Sequence, residues 1–320
     1  MTPIRNRRAI INRKKLVVAL NELAETKRPA DCQQDVVKLL KDAHTAGWNE
    51  VKRRFDEEAE NGRTAAKSLC YLMDQLLRTL YDFATEHVYP LANPTASEQL
   101  CLVATGGYGR GELAPFSDVD LLFLIPYKST PWAESVVEYM LYVLWDLGIK
   151  VGHATRTPEE CSRLAKEDLT IRTALLESRY LWGEEVLFQK AAKRFIRRVV
   201  ATSGSEFIEL KLEERDKRHQ KMGDSRYVVE PNIKDGKGGL RDLQTMWWIA
   251  RYLYGGISRD KMIGDDMLTI HENRQFKKAE SFLWTVRVAM HFIAGRAEER
   301  LTRSEGRREG LERRRRWTLY

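Results

Sequence analysis

Two aspartates two residues apart, Asp118 and Asp120, stand in the stretch ATGGYGRGELAPFSDVDLLFL, shortly after the pair Gly106-Gly107. On an extended chain a period of two places both carboxylates on one face. Such acids repel each other and are costly to desolvate at a buried strand edge, so the pair makes sense where a divalent cation neutralises it. Magnesium takes carboxylates together with substrate phosphate oxygens, and a pair of such ions stabilises both the attacking and the leaving oxygen of a displacement at phosphorus. The diglycine fits the same chemistry. Lacking Cβ atoms, Gly106 and Gly107 let backbone N–H groups approach an anion, and a short helical turn from Tyr108 would aim its N-terminus at the same spot. Ser117 is placed to cap the turn or touch a phosphate.

Other readings of these residues fit less well. Gly109-Arg-Gly111-Glu-Leu-Ala114 formally matches a dinucleotide fingerprint. That motif needs a longer helix directly after it and an acid about 20 positions on at a strand end, whereas the aspartates here fall inside the next strand. No GxxxxGK[ST] run exists, which excludes a P-loop. Asp118 and Asp120 as plain turn caps is the bland alternative. Cys32, Cys70, Cys101 and Cys161 show no CxxC spacing, so neither a zinc ribbon nor a redox pair is suggested.

The elements that must hold these residues follow from hydrophobic period. Residues 1–95 carry apolar residues at helical spacing, among them Val36, Val37, Leu39 and Leu40, then Leu69, Leu72, Leu76, Leu77 and Leu80. Pro90 and Pro94 break the pattern. Leu100 to Thr105 and Val119 to Ile125 have strand length and strand composition, with Val119, Leu121 and Phe123 facing the core. A helix from Pro131 to Gly148 and a strand from Lys150 to Arg156 complete a small α/β unit, and Thr157-Pro158 starts the next helix. Further helices are predicted over 168–181, 184–200, 203–221, 240–254 and 272–294, interrupted by a glycine-rich loop, YVVEPNIKDGKGG, at 227–239. The expectation is a mostly helical α+β chain. It comprises a helical region 1–95, a small α/β core 96–160, a helical region 161–300 with the glycine-rich loop, and an atypical Arg-rich tail 301–320.

The chain of 320 residues carries a formal charge of +8, but nine Arg against five Glu after residue 295 supply half of that excess. The remainder mixes both signs along helices, the pattern of a solvated surface, so a nucleic-acid partner is not indicated. No signal peptide and no membrane-length apolar run is present in the sequence, and the expected location is the cytoplasm.

The diglycine followed by SDVDLLFL resembles the nucleotidyltransferase superfamily related to DNA polymerase β. ATGGYGRGELAPFSDVDLLFL, VGHATRT, EDLTIRTALLESRYLWG and EPNIKDGKGGLRDLQTMWWIAR, in that order, resemble the amino-terminal part of bacterial [protein-PII] uridylyltransferase/uridylyl-removing enzymes over roughly residues 15–300. The resemblance implies a polymerase-β-like core and transfer of UMP from UTP to a tyrosine hydroxyl of the PII signal protein, with release of pyrophosphate. It implies that Gly106 and Gly107 hold the triphosphate and that Asp118 and Asp120 bind Mg2+. A third carboxylate is usual on the next strand. That strand offers His153 and no acid, so Glu177 is the candidate substitute. Lys234, Lys237 and Arg241 are expected to neutralise the β- and γ-phosphates, with a plain interdomain loop as the alternative. No role is evident for Asp242 or Gln244. The resemblance is expected to stop near RAEERLT, with the tail reading as truncation or out-of-frame sequence. The uridylyl-removing and glutamine-sensing domains are accordingly expected to be missing. The alternatives are another acceptor, such as glutamine synthetase or a tRNA end, and a catalytically silent protein that binds nucleotide or a partner.

Overall fold

The computed structural model describes residues 4–28, 31–93, 95–223, 229–254 and 268–302. Pro94, residues 227–228 of the glycine-rich loop and residues 303–320 of the tail lie outside the described residues. The chain divides into two compact units. The first comprises residues 1–52, 67–113 and 117–199, and the second residues 53–66, 114–116 and 200–320. Residues 161–199, expected with the later helical region, therefore fall in the same unit as the α/β core.

In the first unit, helices α1 (Arg7–Ile10) and α2 (Arg13–Thr26) precede α3 (Gln33–Glu57) and α4 (Gly62–Phe83), whose ends belong to the second unit. Leu69, Leu72, Leu76, Leu77 and Leu80 of α4 are all buried, as their three- and four-residue spacing requires. Strand β1 (Cys101–Ala104) then leads into the four-residue turn α5 (Gly106–Gly109), and β2 (Val119–Leu124) follows. Helix α6 (Pro131–Asp146) starts at Thr130, whose side chain caps Ala133 N, with Pro131 in the first turn. Strand β3 (Val151–Arg156) leads to α7 (Pro158–Glu167), which begins with a capping box between Thr157 and Glu160. Helix α8 (Leu169–Leu176), strand β4 (Arg179–Gly183) and α9 (Glu185–Arg198) complete the unit.

The four strands form one mixed sheet in the order β3-β2-β1-β4, with β2 and β3 parallel and both partners of β1 antiparallel to it. Two features depart from the sequence reading. The helix expected over 168–181 stops at Leu176, and Arg179–Gly183 joins the sheet instead, pairing Ala104 with Arg179 and Cys101 with Gly183. Burial on β2 also does not alternate: Leu122 and Leu124 are as buried as Val119, Leu121 and Phe123. Apolar matter covers both faces of this central strand, which is why its sequence is an unbroken apolar run after Asp120. β3 forms the exposed edge.

In the second unit, α10 (Gly204–Lys221), α11 (Leu240–Leu253) and α12 (Ile270–Ala294) are the main elements. The ring of Phe207 stacks on that of Tyr252 at 3.9 Å between centroids, and Phe55 meets Phe292 at 5.6 Å. Trp284 is fully buried. The described part of the glycine-rich segment, from residue 229 on, is held by backbone contacts. Ile233 is buried with Val286 and Met290, and Asn232 Oδ1 accepts from the N–H groups of Lys234 and Asp235. A Cβ on Gly239 would meet the carbonyl oxygens of Ile233, Gly236 and Lys234 at 2.7–3.0 Å, so only glycine fits there.

Candidate active site

The site is built where β1 ends. Cys101 to Ala104 are completely buried, so the chain must leave the core at Thr105, and it does so through Gly106 with φ +56°. A non-glycine residue reaches this left-handed region only with strain. Asp120, one residue into β2, is tied to this turn through its backbone, because its carbonyl accepts from Thr105 N at 3.0 Å. On its other side it pairs with Gly152 of β3. The carboxylate lies in a slot that both glycines leave open. A Cβ on Gly106 would come 2.6 Å from Asp120 Oδ2, and a Cβ on Gly152 would come 2.6 Å from Oδ1. Asp118 stands just before β2 and is exposed, while Ser117 beside it is half-buried.

The turn after Gly106 is fixed at several points. Gly109 N donates to Thr105 O at 2.8 Å. Gly109 has no room for a side chain, since a Cβ there would lie 2.3 Å from Glu177 O and 3.0 Å from Ala104 O. Arg110 Nη1 donates to Glu177 Oε1 at 2.6 Å, and Arg110 Nε lies 3.8 Å from Glu112 Oε2. Tyr108 is buried, and its hydroxyl donates to Asp74 Oδ1 at 2.7 Å. Burial, with the Asp74 charge close by, pushes the Tyr108 hydroxyl well above the ordinary phenol range, so the group stays a hydrogen-bond donor.

Glu177, the expected third carboxylate, faces Arg110 in this structure. It is 2% exposed at the C-terminal end of α8, with its charge taken by Arg110. Among the described residues no three His, Cys, Asp or Glu side chains gather as a metal site. Asp118 and Asp120 are the two carboxylates that the sequence reading assigns to a hard cation. Magnesium completes such a set with water and substrate phosphate oxygens, and the slot between Gly106 and Gly152 holds the second carboxylate with no Cβ in its way.

The basic residues singled out in the sequence lie in the second unit. Lys234 Nζ is 3.9 Å from Glu299 Oε1, and burial, with Arg287 nearby, lowers its pKa. Arg241 Nη1 donates to Gln244 Oε1 at 3.1 Å, and its guanidinium lies over the Trp248 ring. Lys237 lines a cleft of about 770 Å³ between α10 and α11, together with Arg215, His219 and Asp242. Asp242, without a role in the sequence reading, accepts from Arg218 Nη2, from Gly238 N at 2.7 Å and from His219 Nε2 at 2.9 Å. It thereby closes the glycine loop onto the two helices.

Sequence reasoning missed Asp74, Arg179 and the burial of Tyr108. Asp74 stands alone as an acid in an apolar helical run, and nothing around Arg179 sets it apart. No helix among the described residues is long and apolar enough to cross a membrane.

Residues 97–181 match the model of a nucleotidyltransferase domain, and residues 206–314 match that of the GlnD PII-uridylyltransferase family. The second match runs beyond Thr302, where the resemblance was expected to stop. The bifunctional uridylyltransferase/uridylyl-removing enzyme of Rhodospirillum rubrum is 54% identical over 300 residues, 93% of this chain and 32% of that protein. The one from Azospirillum brasilense is 53% identical over the same shares. The chain thus spans about a third of the length of these curated relatives.

Proposed function

Starting from a chain that carries a nucleotidyltransferase domain and is homologous to part of the bifunctional uridylyltransferase/uridylyl-removing enzymes, we propose that it transfers UMP from UTP to a tyrosine of a PII signal protein. The observation that carries this reading is the Asp120 carboxylate held between Gly106 and Gly152, with Asp118 two residues before it.

In this reading Asp118 and Asp120 hold Mg2+, and the ion's chemistry is to neutralise the triphosphate and the departing pyrophosphate. The tyrosine oxygen forms a bond to the α-phosphorus, the bond to the bridging oxygen breaks, pyrophosphate leaves and the hydroxyl proton passes to water. Gly106 and Gly107 bring backbone N–H groups against the triphosphate, and Ser117 offers a hydroxyl at the same end of β2. Lys237 and Arg241 are the cations expected from the sequence to neutralise the outer phosphates. Lys234, turned toward Glu299, serves by holding the loop. Glu177 sets Arg110 and the turn rather than a metal ion. The reading places the chain in the cytoplasm, as a regulator of nitrogen metabolism.

The test is incubation of the chain with purified PII, UTP and magnesium, followed by intact mass measurement of PII. A gain of one UMP per modified subunit is expected, dependent on the metal and on UTP in preference to ATP or CTP. Unmodified PII, with another nucleotide or acceptor consumed instead, overturns the assignment.

A further inference from the structure

An ion pair lies behind the glycine turn and reaches both polar ends of one turn residue. Asp74, on α4, accepts the Tyr108 hydroxyl at 2.7 Å and is bridged on both oxygens by Arg179 of β4, with Nη1 to Oδ2 at 2.8 Å and Nη2 to Oδ1 at 3.0 Å. The same Arg179 Nη2 also donates to the carbonyl of Tyr108 at 3.3 Å, and the guanidinium lies over the Tyr108 ring. Cys70 Sγ, one helical turn from Asp74, accepts from Arg179 Nη2 at 3.3 Å. Asp74 and Tyr108 are buried.

Packing alone does not call for this arrangement. An Asp–Arg pair with the acid buried and the arginine half-buried adds little to stability over apolar side chains of similar volume. The pair does something apolar groups cannot. Its free hydrogen-bonding capacity converges on the hydroxyl and the carbonyl of one residue, which fixes that residue in rotation as well as in place. Tyr108 is two residues from Gly106, whose backbone in turn bounds the slot holding the Asp120 carboxylate.

We propose that Asp74 and Arg179 are positioning residues that, through Tyr108, set the Gly106–Gly109 turn and with it the orientation of Asp120. The proposal rests on the reading of Asp120 as a metal ligand. It adds that the site's geometry is set from α4 and β4, outside the motif that carries the chemistry. Displacement of reacting groups by about 1 Å through a distant substitution costs on the order of 100-fold in rate.

The experiment compares Tyr108→Phe, Asp74→Asn and Arg179→Lys with the parent chain. Amide hydrogen exchange is followed across residues 106–111 and, as reference, across β1 and β2. Mg–UTP affinity, kcat and KM are measured per folded molecule. Exchange across 106–111 is expected to rise about tenfold or more while the two strands keep their protection. Expected values of kcat are about tenfold lower for Tyr108→Phe and about 100-fold lower for Arg179→Lys, which keeps the charge but loses the fork. A merely structural role would reduce the folded fraction and leave turn exchange, UTP affinity and kcat per folded molecule at parental values, and that result overturns the proposal. Should Asp74→Asn fail to fold, Tyr108→Phe decides, since it removes a single hydroxyl. A parent chain that transfers nothing to PII would refute the acceptor assignment alone, because turn exchange still reads the positioning role.

Discussion

Asp120 Oδ2 lies 2.6 Å from the point where a Cβ on Gly106 would sit, so the carboxylate and the glycine cannot be chosen independently. The same holds on the far side for Gly152 and Oδ1. The spacing of diglycine and aspartate in the sequence is therefore a packing constraint as well as a chemical signature.

Gly152→Ala tests that constraint without backbone strain, because Gly152 lies in the regular parallel ladder with Asp120. The methyl group pushes the carboxylate out of its slot. Transfer should fall by roughly 100-fold while the thermal midpoint shifts by only a few degrees. Gly106→Ala should lose as much activity and more stability, by roughly 1–2 kcal/mol, since its φ of +56° disfavours any side chain. Steady-state kinetics and thermal unfolding of both variants check this. Equal stability losses would contradict it.

Asp120→Asn should remove nearly all transfer and leave the fold intact. The loss should exceed the 10–100-fold that outer-shell changes around a metal typically cause. Magnesium titration of the residual activity is the measurement. A variant with parental turnover would refute the metal assignment.

Lys237 lines the cleft between α10 and α11 on a loop fixed by Gly238 N donating to Asp242. If it reaches a phosphate, Lys237→Ala should raise the half-saturating UTP concentration about tenfold, the value of one charge-assisted hydrogen bond. Circular dichroism should be unchanged. An unaltered KM for UTP would remove Lys237 from the nucleotide site.

Glu177→Ala removes the carboxylate that Arg110 meets at 2.6 Å, from a pair in which Glu177 is buried and Arg110 half-buried. Removing one partner of a buried pair costs about 3–5 kcal/mol, so the midpoint in urea should drop clearly. Glu177→Gln, which keeps a hydrogen-bond acceptor for Arg110, should recover part of that loss. Midpoints equal to the parent's in both variants would show that the charge is immaterial.

Much of the site was legible because its chemistry is local. The diglycine, the DxD and three strands each occupy a few consecutive residues with clear period and composition. What escaped was set by distant contacts. Asp74 lies 34 residues from Tyr108 and 105 from Arg179, and nothing in either neighbourhood announces a partner. Strand β4 was hidden for a related reason: only Leu181 of its five residues is buried, and it follows a helical segment directly. Glu177 was offered as the substitute for the third carboxylate that the resemblance implies, and its partner Arg110, 67 residues away near the turn, is not announced by the sequence.

The last prediction concerns acid stability in the second unit. Glu299 is mostly buried, and burial alone would raise its carboxyl. His291 close by and Arg287, hydrogen-bonded to it, outweigh burial and hold the group at about 2. Arg287 Nε donates at 2.9 Å, while His291 Nε2 lies 3.6 Å away and His291 Nδ1 meets the Pro115 carbonyl. In the unfolded chain the group titrates near 4.3. A carboxyl held low in the folded state adds stability above its unfolded pKa and loses it as pH falls toward the folded value. The window here is from about pH 4.3 to about pH 2, and the contribution is roughly 3 kcal/mol. Urea unfolding between pH 6 and pH 2.5 should show this loss in the parent chain. Glu299→Gln should be less stable at pH 6 and flatter across the same range. A variant with the parent's acid limb would place the pH dependence elsewhere.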